Sequence, residues 1–72
     1  MKLEVGDMVI LSPSRSLGVA FLVSDDEMNI TGRFFRDDVG VVLEIREKKP
    51  TLKIAMGSGE IGWGFDYDFS GT

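Results

Sequence analysis

Paired carboxylates are the residues of this chain whose types and spacing come closest to a catalytic arrangement. The pairs are Asp25–Asp26, Asp37–Asp38 and Asp66 with Asp68. Two carboxyl groups can share acid and base work only when their side chains converge. Each pair lies in a segment that reads as a turn, and neighbouring residues of an extended chain point in opposite directions. The 72 residues include no histidine and no cysteine to hold zinc, and so short a chain leaves little room for a sheltered pocket. We therefore predict no enzymatic activity, no cofactor and no metal site.

Basic residues offer a second kind of chemistry, the binding of phosphates. The only local basic cluster consists of Lys48, Lys49 and Lys53, and Arg46 is a further candidate beside it. Such a cluster could contact a nucleic-acid backbone while an exposed aromatic ring stacks on a base. However, twelve acidic residues against eight basic ones give a net charge of −4. Nucleic-acid binding is therefore the alternative hypothesis, and a protein partner is the leading one.

Aromatic side chains supply the evidence for a protein partner. The chain has seven of them, more than a small five-stranded barrel can fully bury. Phenylalanine, tyrosine and tryptophan are enriched in the cores of protein interfaces. The candidate contact residues are Phe34, Phe35, Trp63, Phe65 and Tyr67. Filling the core is the competing explanation for each of them. In the functional interpretation, a hairpin at residues 18–35 and the C-terminal edge form a docking surface, for another protein or for copies of the chain.

The elements that must position these residues are short strands. The alternation of side chains predicts a meander of three antiparallel strands over residues 40–46, 51–56 and 61–65. In the first strand Val41, Leu43 and Ile45 form the face expected to be buried. In the second strand the inward residues are Leu52, Ile54 and Met56. In the third strand Ile61, Trp63 and Phe65 share one side, and glycines at 62 and 64 occupy the other.

Glycines 62 and 64 surround the only tryptophan. Within a strand, glycine marks a bend, a bulge or the close approach of another part of the chain. We favour a sharp bend that helps a small barrel to close; a ligand against the bare backbone is the alternative. Before the meander, residues 8–11 predict a strand and residues 12–16 a loop. After it, residues 65–72 form either a short helical turn with a final strand or one continuous edge strand.

Three segments occur in the order found in SH3-like small barrels. They are VGDMVIL at 5–11, DDVGVVLEI at 37–45 and GSGEIGW at 57–63. On these segments the chain resembles the SH3-like small β-barrel superfamily. Residues 40–45 are also similar to the second half of a KOW motif of transcription and ribosomal proteins. The short acidic chain with a long first loop resembles small SH3-like proteins encoded by bacteriophages.

The resemblance implies an all-β fold. Specifically, it implies one five-stranded antiparallel barrel over residues 1–72, with residues 13–36 as an inserted loop and hairpin. It also implies a structural or protein-interaction module within a larger assembly, such as a phage or virion accessory protein. A KOW-like module that binds nucleic acid or ribonucleoprotein is the alternative that it implies.

The sequence also bears on location. The longest unbroken apolar run, residues 19–23, is far shorter than the ~20 residues that a membrane span needs. Lys2 and Glu4 stand where a signal peptide would have an apolar region. We expect a cytoplasmic protein, or one incorporated in a particle that assembles inside the cell, with no membrane partner.

Overall fold

A computed structural model describes residues 2–72 as an all-β domain. Its strands are β1 (Met8–Leu11), β2 (Val19–Val23), β3 (Ile30–Phe35), β4 (Gly40–Ile45), β5 (Leu52–Met56), β6 (Ile61–Gly64) and β7 (Phe69–Gly71). A 3₁₀ helix, Asp66–Asp68, precedes β7. The strands form one antiparallel sheet in the order β3-β2-β6-β5-β4-β1-β7. The all-β prediction is confirmed, whereas the sheet has seven strands instead of five.

The predicted meander of β4, β5 and β6 is confirmed. Gly40 pairs with Met56 on β5, and Ile54 pairs with Gly62 on β6. The turn between β5 and β6 is closed by the Gly59 N–H, which donates to the Met56 carbonyl at 2.9 Å. Gly59 has a φ of +96°, a conformation that residues with a side chain rarely adopt. The hairpin expected at 18–35 is β2 and β3, which pair along their lengths.

Up to its bulge, the buried face of β4 is the opposite of the one predicted. Val42 is fully buried, whereas Val41, Leu43 and Ile45 are all exposed. The segment has apolar residues on both faces, so its alternation does not say which face points inward. Gly40 decides it: a side chain added there would meet Ile54 and the ring of Phe34, so the bare backbone of Gly40 faces the core. A bulge between Val42 and Glu44 then turns two successive residues outward.

The core fills the concave side of a strongly bent sheet. Its buried members are Val9, Leu11, Ala20, Leu22, Phe34, Val42, Leu52, Ile54, Met56 and Phe69. Phe34 belongs to β3 and Phe69 to β7, the two edges of the sheet. Their ring centroids are nevertheless 5.0 Å apart, with the rings nearly perpendicular. The sheet therefore curves until side chains from its two edges meet in the interior.

The two glycines of β6 make room for different neighbours, Gly62 for the β2–β3 hairpin and Gly64 for the ring of Phe69. A Cβ added at Gly62 would lie 2.0 Å from the hydroxyl oxygen of Thr31 and 2.8 Å from the Cβ of Leu22. A Cβ at Gly64 would lie 2.6 Å from the ring of Phe69. The structure thus shows a close approach of other parts of the chain at both positions, and the strand bend that we favoured stays a prediction. The two glycines let neighbouring side chains pack directly on the backbone of β6.

Candidate protein-docking surface

Tyr67 is the most prominent of the predicted aromatic contact residues. It lies in the 3₁₀ helix and is 64% exposed. Its ring stacks on that of Phe65, with centroids 5.3 Å apart and an interplanar angle of 25°. Stacking on a partly buried neighbour restricts the rotamers of Tyr67, which lowers the entropic cost of binding a partner. We call the pair formed by Phe65 and Tyr67 the Tyr67 ridge.

A buried carboxylate fixes the helix that carries the ridge. Asp68 is buried, and its carboxylate accepts a hydrogen bond from the Arg15 guanidinium at 2.5 Å. Its backbone takes part as well, because the Ser12 N–H donates to the Asp68 carbonyl at 2.8 Å. The Arg15 Nε–H donates in turn to the Val19 carbonyl at 2.8 Å. Asp68 is thus a structural anchor that ties the 3₁₀ helix to the loop after β1.

Two clefts flank Tyr67. The larger has a volume of about 330 Å³, and Tyr67 forms part of its wall. The other residues of its wall are Lys2, Leu3, Ile45, Arg46, Thr51, Leu52, Asp66 and Phe69. The smaller has a volume of about 280 Å³ and lies between Tyr67 and the loop at 14–17. Ile45 lies opposite the buried Leu52, on the inner face of the sheet, and is exposed because it forms part of the wall of the larger cleft.

The two adjacent phenylalanines of β3 lie on opposite faces of the strand, one buried and one exposed. Phe34 is fully buried in the core, so it offers no surface to a partner. Phe35 is 51% exposed at the end of the same strand. The Phe35 N–H donates to the Asp38 carboxylate at 2.8 Å, and the Asp38 N–H donates to the Phe35 carbonyl at 3.0 Å. Asp38 thereby occupies the backbone groups with which Phe35 could otherwise extend the sheet.

Trp63 is buried, but outside the core. In the register of the sheet it lies opposite Lys53, which pairs with Glu44 on the outer face. The guanidinium of Arg46 covers it, 3.8 Å from the centroid of the indole ring. Trp63 therefore presents little surface to a partner. Sequence reasoning missed this contact because Arg46 follows β4 and Trp63 belongs to β6, and these two strands are not neighbours in the sheet.

The predicted basic cluster is divided by these contacts. Arg46 forms an ion pair with Asp25 and donates to the carbonyls of Lys48 and Pro50. Lys48 lies beside a cleft of about 450 Å³ whose wall also includes Asp25 and Asp26. In the described part of the chain, Nε and Nη1 of the guanidinium that was expected to bind phosphate thus have partners, and its Nη2 is buried without one. Two aspartates line the cleft beside Lys48. Lys49 is exposed in the same turn, and Lys53 is half-buried on the outer face.

The carboxylates have local structural roles. The Ser24 hydroxyl and the Met28 N–H both donate to Asp26, at 2.5 and 3.1 Å, and these hydrogen bonds lower the pKa of Asp26. Asp38 holds the end of β3, as described above. Within residues 2–72, no group of three or more acidic, histidine or cysteine side chains is placed to hold a metal ion. No helix in this part of the chain is long and apolar enough to cross a membrane.

Comparison with protein-family models, with curated proteins and with solved structures gave no match to this chain. The resemblance to SH3-like barrels therefore depends on the motifs in the sequence. The arguments about function below depend on the geometry of the chain itself.

Proposed function

We propose that this chain is a non-enzymatic protein-docking module of the SH3-like small-barrel type. Three features of topology support the assignment to this type. A meander forms the middle of the sheet, a 3₁₀ helix precedes the last strand, and β1 lies between β4 and β7. The curvature that brings Phe34 and Phe69 together also suits a small barrel.

The observation that carries the docking proposal is the exposure of Tyr67 on a fixed support between two clefts. A tyrosine with a stacked ring and a free hydroxyl provides both apolar area and a hydrogen-bonding group, which is why tyrosine is frequent among residues that dominate binding. The supporting helix is held by Asp68 and Arg15, so binding would require little rearrangement of the backbone.

The walls of the larger cleft indicate what a partner would present. Leu3, Ile45 and Phe69 give it an apolar surface, and Lys2 and Asp66 lie at its margin. We infer that a partner protein inserts an apolar side chain beside Tyr67 and is oriented by charged groups at the rim. The likeness to phage-encoded SH3-like proteins supports a virion or other phage assembly as the larger complex.

Site-specific photo-crosslinking in the cells that make the protein tests this proposal. A photoreactive phenylalanine analogue at position 67 is expected to give one discrete adduct with another protein. The same analogue at Met28, which is more exposed and lies in the turn of the hairpin, is the control. Equal adduct patterns from both positions would contradict the proposal. So would full retention of the complex, captured by a crosslinker elsewhere, in a Tyr67→Ala variant.

A further inference from the structure

The outer side of the sheet carries a continuous row of apolar side chains. Met8 lies opposite Val41, Val41 opposite Ala55, and Ala55 opposite Ile61. Residues directly opposite one another in antiparallel strands share a face. The four residues thus come from β1, β4, β5 and β6, four consecutive strands of the sheet. We call Met8, Val41, Ala55 and Ile61 the outer row.

The outer row is large enough to matter energetically. Met8 is 52% exposed, Ile61 48% and Val41 37%. Val39, just before β4, and Leu43, on β4, flank the row and are 40% and 43% exposed. These fractions correspond to an apolar area on the order of 450 Å², within the range of the largest patch on a typical monomer. The molecule as a whole exposes 4496 Å², so about a tenth of its surface is this one patch, the share that a specific interface occupies on a small protein.

The charges beside the row are arranged for contact with an identical face. Glu44 on β4 lies opposite Lys53 on β5, in the row next to the outer row. A twofold axis parallel to the strands, midway between β4 and β5, would place β4 of one copy over β5 of the other. Val41 would then face Ala55 of the second copy, and Glu44 would face Lys53 of the second copy. Because the axis is twofold, each of these contacts occurs twice.

The outermost residues of the row fit the same arrangement. The axis places Met8 opposite Ile61 of the second copy, at both ends of the row, where two outward-curved sheets leave the widest gap and long side chains are needed to bridge it. The shorter Val41 and Ala55 meet at its centre. Large apolar side chains are therefore matched with large ones, and each negative charge faces a positive one, without any change in the fold.

We propose that the outer row binds a second copy of this chain, face to face, in a twofold dimer. The two copies together would bury roughly 1,000 Å², at the lower limit for specific protein interfaces. The dimer is accordingly weak and forms at micromolar or higher concentration. This surface is separate from the Tyr67 ridge, so the dimer and the proposed docking function can fail independently.

Sedimentation velocity from about 1 μM to 1 mM tests the proposal, a range that covers weak specific association. The wild-type chain is expected to pass from monomer to dimer, and Ile61→Thr to raise the dissociation constant at least tenfold. Ile30→Thr is the matched control, because Ile30 is a strand isoleucine of similar exposure, 54%, outside the outer row. It is expected to change the constant less than twofold. A wild-type chain that stays monomeric throughout, or equal effects of the two variants, would overturn the proposal.

A measurement on the unaltered chain covers the case in which Ile61→Thr fails to fold. Dilution of the wild type is expected to shift the NMR signals of Met8, Val41 and Ala55 and to leave those of Phe35 and Tyr67 in place. Shifts confined to Phe35 or Tyr67 would contradict the proposal. A Tyr67→Ala variant that still dimerises but loses its crosslinked partner would separate this dimer from the docking function.

Discussion

Gly62→Ala is the substitution that tests most sharply how the hairpin packs on β6. The new methyl group would lie 2.0 Å from the Thr31 hydroxyl oxygen, 2.8 Å from the Leu22 Cβ and 3.2 Å from the Val23 carbonyl oxygen. The Thr31 hydroxyl can move by rotation of one side chain. The Leu22 and Val23 atoms are fixed to the backbone of β2, so β2 and β6 must separate.

The expected loss follows from these contacts. Overpacking a filled interior typically costs about 1–3 kcal/mol. Replacing glycine also restricts the unfolded chain, which returns about 0.4–1 kcal/mol. The contacts of 2.0 and 2.8 Å place the cost of overpacking at the upper end of its range. We therefore expect Gly62→Ala to lower the free energy of unfolding by about 2 kcal/mol, a large part of the stability of a domain this small. Urea denaturation followed by circular dichroism measures it.

Two further variants make the test specific. Gly18→Ala is the matched control, because a Cβ there has no neighbour within 4 Å, and its stability is expected to stay equal or to rise slightly. Thr31→Ala combined with Gly62→Ala removes the shortest contact and is expected to recover about half of the loss, a coupling of roughly 1 kcal/mol. A neutral Gly62→Ala, or a double variant without coupling, would refute close packing and favour the strand bend predicted from the sequence.

Three other predictions concern separate parts of the molecule. Arg46→Ala is expected to lower the free energy of unfolding by about 1–2 kcal/mol and to shift the emission of the only tryptophan to longer wavelength, because Trp63 loses its cover. Asp25→Asn, which alters an exposed partner of Arg46, should change the stability by less than about 0.5 kcal/mol. An unshifted emission in Arg46→Ala would contradict the stacked geometry. The pKa of Asp26 is expected below 3.8 in an NMR titration. Any stability linked to this carboxylate is therefore present above pH 3.8 and is lost as the pH falls through the lowered pKa. Ser24→Ala should raise this pKa, and an unchanged value would be evidence against the hydrogen bond. Single-stranded DNA and RNA are expected not to bind even at about 50 mM salt, because the chain is acidic and Arg46 is occupied; binding that weakens steeply with added salt would restore the nucleic-acid alternative.

The sequence predicted the strands better than it predicted which face of each strand is buried. Leu52, Ile54 and Met56 alternate with less apolar residues, and all three are buried as expected. In β4, by contrast, Val41 and Val42 are both apolar, and the packing of Ile54 and the Phe34 ring against Gly40 determines which face is buried. The buried face thus depends on packing between strands that are distant in the chain, which a local pattern does not contain.

The candidate site, too, could be predicted from the sequence only in part. Adjacent phenylalanines had to point to opposite faces of β3, and the structure assigns Phe34 to the core and Phe35 to the surface. The exposure of Tyr67 depends on a helical turn, one of the two conformations that the sequence left open for the C-terminal segment. The cover that Arg46 gives Trp63 had no signal in the sequence, because it depends on the alignment of three strands.

The contact between Phe34 and Phe69 is the feature on which both proposed surfaces depend. It requires the sheet to bend until its edges meet, which leaves the Tyr67 ridge and the outer row exposed. Proton NMR can observe this contact directly. With the ring centroids 5.0 Å apart, we predict strong cross-relaxation between the two rings and slow hydrogen exchange at those β3 amides that pair with β2. No cross-relaxation, together with a Phe34 ring accessible to a soluble paramagnetic probe, would contradict the bent sheet and both surfaces with it.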